Sequence, residues 1–132
     1  MTRNMTVLGM LFTMLTVPAT AQTSQTHRYS QRELLQNFAV SRCLGRVYGN
    51  DAVRDDAFAS AAGYLEFGRQ GIEAYGALDK LAERYASLTY HSHSGAPLHT
   101  MKCIDLFRSK DLNRLVNRLL RPHDRPATPP GN

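Results

Sequence analysis

No stretch of the 132 residues stays apolar long enough to cross a bilayer as a helix. The longest, Met5–Val17, runs to about 13 residues against the roughly 20 a span requires. The chain also lacks internal repeats and any strand-length alternation of apolar and polar residues, which argues against sandwich, barrel and solenoid architectures. Cysteine is scarce, with only Cys43 and Cys103, and neither belongs to a C-x-x-C or C-x-x-C-H motif. That excludes a thioredoxin-like redox centre and c-type haem attachment. There is no G-x-S-x-G, S-x-x-K or H-E-x-x-H, and no glycine-rich phosphate loop, so no familiar hydrolase or nucleotide site is present. The basic surplus, +5 formally, is spread along the chain rather than gathered in a run, and it points only weakly to an acidic partner.

The remainder is that of an ordinary globule, 42% apolar and 20% charged. Arg3, the apolar Met5–Val17 and the small-x-small sequence Ala19-Thr20-Ala21 predict a cleaved export signal over residues 1–21, with Gln22 as the new N-terminus. Export implies an oxidising space such as a bacterial periplasm, away from nucleic acid. In that setting two cysteines 60 positions apart predict one intramolecular disulfide, Cys43–Cys103. Two buried thiols or a bridge between chains are the alternatives.

Between Gln22 and Arg121 the periodicity predicts an all-α domain, a compact bundle of about five short helices. Gln22–Tyr29 reads as a loose polar lead. Ser30-Gln31-Arg32-Glu33 forms a capping box before a first helix whose core face is Leu34, Leu35, Phe38, Ala39, Cys43 and Val47. A second helix runs from about Ala52 to Phe67, rich in small residues such as Ala57 and Ala61. A third buries Ile72, Tyr75, Leu78, Ala82 and Tyr85, with Glu73, Asp79 and Glu83 as its solvated face. After the loop Thr89–Pro97, a fourth helix from about Leu98 to Phe107 offers Leu98, Met101, Ile104 and Leu106 or Phe107. A fifth, capped by Ser109, carries Leu112, Leu115, Val116, Leu119 and Leu120. Residues 122–132, with four prolines, read as a tail that does not pack.

Two constellations are candidates for function. His91, His93, His99 and Cys103 form a chemically admissible zinc set, but a Cys103 in a disulfide cannot ligate, so no metal or cofactor is expected. The loop is the stronger candidate. Tyr90 supplies contact area, and Ser92, Ser94 and Gly95 permit close backbone approach, as in a protruding element that plugs a partner's groove.

Four blocks occur in order: Ser41-Arg42-Cys43-Leu44-Gly45, Gly63-Tyr64-Leu65-Glu66-Phe67, Ile72-Glu73-Ala74-Tyr75 and Thr100-Met101-Lys102-Cys103-Ile104-Asp105-Leu106-Phe107. Together they resemble family 4 of the type VI secretion amidase immunity proteins, over about Phe38–Leu115. The resemblance implies an all-helical, non-enzymatic periplasmic protein, usually dimeric and forming a heterotetramer with its effector. That effector is a papain-like cysteine amidase that cuts peptidoglycan cross-bridges, and the immunity protein occludes its cleft. Carried over by position, the plugging loop is His91-Ser92-His93-Ser94-Gly95 and the accompanying helix is the one bearing Glu73 and Tyr75. Members often have Lys at the position of His93, so an imidazole contact there would carry less charge at neutral pH. A small exported metal-binding or adaptor domain is the alternative.

Overall fold

The structure is a computed structural model and describes residues 22–121. The expected leader, 1–21, and the proline-rich tail, 122–132, lie outside the described residues. The elements are a 3-10 turn, Gln25–Arg28, and five helices: α1 Gln31–Val47, α2 Asp51–Glu66, α3 Ile72–Ala86, α4 His99–Arg108 and α5 Lys110–Leu119. No strand occurs among the described residues.

Local chemistry sets the helix starts. Ser30 Oγ accepts from the Glu33 amide at 3.2 Å while Glu33 Oε2 accepts from the Ser30 amide at 2.7 Å, which closes the capping box of α1. Asn50 caps α2 through the Val53 amide, and Ser109 caps α5 through the Leu112 amide. The lead is more ordered than its composition suggests. Ser24 accepts from the Thr26 amide, Thr26 is buried, and the Tyr29 ring lies 6.2 Å from that of Tyr64.

α1 is the central rod and packs against all four other helices. Its predicted face, Leu34, Leu35, Phe38, Ala39, Cys43 and Val47, is buried throughout. α2 lies along α1, with Ala57 and Ala61 turned inward. In α3, Tyr75, Leu78 and Ala82 are buried as the spacing requires and Leu81 joins them. Ile72 instead, the first residue of α3, is 70% exposed. The disulfide joins Cys43 of α1 to Cys103 of α4, with both cysteines wholly buried.

Asp79 departs from its expected role on a solvated face. Arg42 Nε donates to its Oδ1 at 2.5 Å and Arg46 Nη2 to its Oδ2 at 2.7 Å, which clamps α3 to α1. The Arg42 guanidinium also lies 4.6 Å from the Phe58 ring centre, so one side chain links three helices. Burial pushes the Asp79 carboxyl up, but the hydrogen bonds and charges of Arg42 and Arg46 outweigh it, and the net shift is downward. A carboxyl lowered in the folded state stabilises above its unfolded pKa, and that contribution fades as pH falls through the folded value. Asp79→Asn is therefore expected to cost about 1–2 kcal/mol at neutral pH. The gap from the unmodified protein should narrow from neutral pH to an acid limit below the folded carboxyl's lowered pKa, where the aspartate too is neutral. Thermal melts of both proteins between these limits check it; a gap constant with pH counts against the clamp.

Candidate functional site

The twelve-residue connection between α3 and α4 spans residues 87–98 and carries its own internal scaffold. The Gly95 amide donates to the Ser92 carbonyl at 3.2 Å, closing a turn whose middle residues are His93 and Ser94. Gly95 has φ +75°, a left-handed conformation that glycine adopts without a Cβ clash. Ser92 Oγ donates to the Ala96 carbonyl at 2.8 Å and lies 3.3 Å from Ser94 Oγ. His91, His93, Ser94 and Gly95 are exposed at the tip, whereas Tyr90 and Ser92 are half-buried.

Three links hold this turn to the bundle. The Tyr90 hydroxyl donates to Asp105 Oδ2 of α4 at 2.6 Å, and that bond to a carboxylate holds the phenol above its ordinary pKa, so it stays protonated. Lys102 Nζ donates to the Ala86 carbonyl at 3.4 Å, tying α4 to the last turn of α3. Cys103, between Lys102 and Asp105 in sequence, bonds α4 to α1 beneath them. The tip therefore rests on a helix that is covalently fixed to the core. Neither Asp105 nor Lys102 stood out as an anchor in the sequence, since nothing local pairs Asp105 with a tyrosine fifteen positions earlier.

Beside the loop lies an apolar depression of about 650 Å³, bounded by Tyr48, Pro97, Leu98, His99, Met101 and Ile104. The Tyr48 hydroxyl is hydrogen-bonded to that of Thr100, and the His99 ring stands edge-on to Tyr48 at 5.7 Å. Met101 and Ile104, expected in the core, are 49% and 51% exposed. The reason is geometric. Cys103 must face α1 to form its bridge, Leu106 follows it inward at i+3, and Met101 and Ile104 rotate to the opposite side.

The other expected contact residues separate. Tyr75 is only 4% exposed: its ring packs edge-on against Phe38 at 5.0 Å, and its hydroxyl lies where a β-carbon at Gly68 would sit. It is a core residue and presents no surface to a partner. Burial raises its phenol's pKa accordingly. Glu73 is exposed in the first turn of α3, about 20 Å along the helix from the loop at the other end. The zinc constellation does not assemble: Cys103 is consumed by the bridge, and no group of three or more potential ligands converges among the described residues.

Comparison with known proteins gives a consistent set of likenesses. The profile of the type VI secretion system amidase immunity proteins, Tai4, matches residues 33–116, more than half of the chain. The solved effector–immunity system Tae4/Tai4 from Salmonella typhimurium is 42% identical over 76% of this chain and 100% of that chain, with a TM-score of 0.73. A structure from Serratia marcescens, described under new type VI-secreted toxins and self-resistance proteins, is 24% identical over 82% of this chain and 89% of that one, with a TM-score of 0.68. The Tae4–Tai4 complex from Enterobacter cloacae is 21% identical over 73% and 98%, with a TM-score of 0.64. The last two bear on the fold alone. No curated protein matches by sequence.

Proposed function

Because the chain belongs to the type VI secretion system amidase immunity family, we propose that it binds a type VI peptidoglycan amidase and blocks its active-site cleft with the loop Tyr90–Gly95. The chemistry is the amidase's; this chain contributes shape, hydrogen bonds and the exclusion of water. The observation that carries the reading is the pre-ordered tip. A turn closed by Gly95 and Ser92, anchored by Tyr90 on Asp105 above the Cys43–Cys103 bridge, loses little further freedom on entering a cleft. The same rigidity is superfluous in a mere connector. His91, His93 and Ser94, exposed at the tip, are the side chains that would meet the cleft wall.

The resemblance to an immunity family that is usually dimeric supports a dimeric arrangement, with which the separation of Glu73 from the loop is compatible. One copy would insert its loop while the α3 surface of its partner copy, bearing Glu73, lies against the same amidase, giving a heterotetramer of two immunity chains and two effectors. The export signal read in residues 1–21 supports a periplasmic site of action, where the amidase meets its substrate.

Gly95→Val tests the reading. A branched side chain is strained at positive φ, so the turn opens while the core is untouched. Inhibition of a purified type VI amidase, read as hydrolysis of peptidoglycan peptides, is expected to weaken at least about tenfold, equivalent to about 1.4 kcal/mol of binding. The melting temperature should stay within about 2 °C of the parent's. Full inhibition by this variant would reduce the loop to a connector.

A further inference from the structure

The cationic surplus that looks dispersed along the chain is gathered by the fold. A groove of about 390 Å³ between α3 and α5 is walled by Lys80 and Arg84 on one helix and Arg114 and Arg118 on the other. Its single carboxylate is Asp111, and its floor includes Leu81 and Leu115. Each wall is a like-charge pair at i,i+4, an arrangement that destabilises a helix by a few tenths of a kcal/mol. Here the two pairs face one another, so neither helix gains from the pattern.

Asp111 offsets part of this repulsion. Arg84 Nη2 lies 2.7 Å from its Oδ2 and Arg114 Nη2 3.0 Å from its Oδ1, which holds both guanidinium groups at the groove. One carboxylate leaves most of the ten N–H donors of two guanidinium groups free. Among the described residues Lys80 and Arg118 have no carboxylate at ion-pair distance. The groove thus keeps a net charge of +3, from four cations and one anion, in a concavity of small-ligand size.

We propose that the α3–α5 groove is an anion-binding site for a phosphate-bearing ligand with two or more negative charges. Arg84 and Arg114, held by Asp111, would engage oxyanion oxygens through paired N–H groups, while Lys80 and Arg118 close on the ligand from either wall. A doubly charged phosphate group suits the net charge better than a single carboxylate, which the site already contains. This site stands apart from the loop and does not depend on the amidase reading.

Pyrophosphate is the probe for a soluble ligand, and vesicles of phosphatidylglycerol, against phosphatidylcholine, are the probe for a lipid headgroup. Calorimetric titration of the purified protein at low salt is expected to show saturable one-to-one binding of pyrophosphate. The affinity should fall at least about tenfold in a Lys80→Ala/Arg118→Ala double variant and at 0.3 M salt. Neither residue holds Asp111, so an unchanged melting temperature separates lost binding from lost fold. Arg54→Ala, on α2, should bind as the parent does. Sedimentation with phosphatidylglycerol vesicles that is lost in the double variant assigns the headgroup as the source; pyrophosphate binding without sedimentation assigns a soluble phosphate. Absence of both, or binding equal in parent and double variant, overturns the proposal.

Discussion

Replacing Cys43 and Cys103 together by alanine is expected to lower the melting temperature by about 20 °C. The bridge joins residues 60 positions apart in a small domain. On the chain-entropy account, opening a loop of that length releases about 4 kcal/mol of restriction in the unfolded chain. In a domain of about 100 residues each kcal/mol moves the midpoint by about 4–8 °C, and total stability is only about 5–15 kcal/mol. Both cysteines are wholly buried between α1 and α4, so the alanines also remove packed sulfur from the core. Differential scanning calorimetry of parent and double variant measures the effect, and a fall below about 5 °C would show that packing alone holds α4. Inhibition of the amidase by the same variant, assayed well below its own midpoint, asks a separate question. If the bridge stiffens the platform under Tyr90 and Asp105, inhibition weakens even where the variant is folded.

The second large effect separates two residues of one short helix. Leu106→Ala is expected to cost about 3 kcal/mol, within the range for truncating a fully buried leucine. Met101→Ala should fall within about 0.5 kcal/mol of the parent. Leu106 is wholly buried in the cluster that also contains Leu35, Leu78 and Leu112, whereas about half of Met101 is open to water beside the loop. Urea titrations of the two variants give the comparison directly. Equal losses would mean that α4 is rotated from the orientation described, and the apolar depression beside the loop would then not exist.

How much was legible varies with the kind of information each residue carries. The α1 face was readable because a capping box fixes its start and six apolar residues recur at helical spacing over the fourteen positions from Leu34 to Val47. α4 was not, because ten residues hold apolar side chains on two stripes, Met101–Ile104–Phe107 and Cys103–Leu106, and periodicity cannot choose between them. The needed clue was available: a Cys103 bonded to a buried Cys43 must face inward, and its i+3 neighbour with it. Tyr75 was read in two ways: its spacing put it on the buried face of α3, while the resemblance set it among the contact residues. A tyrosine on an amphipathic helix suits a core or a contact surface equally well, and only the close approach of Gly68 and Phe38 puts this one inside. Asp79 looked solvated because its partners, Arg42 and Arg46, lie more than thirty positions away.

Taken alone, the amino-acid order determined the all-helical class, the capped starts of α1, α2 and α5 and the position of the loop, since caps, periodicity and turn residues act over a few neighbours. It pointed to the Cys43–Cys103 pairing, which the packing of α4 on α1 then made. Tertiary structure decided the direction each short helix faces, the anchoring of Tyr90 on Asp105, and the gathering of Lys80, Arg84, Arg114 and Arg118 into one groove. Those features depend on contacts between distant segments, and one-dimensional spacing carries no record of which residues the packed helices bring together.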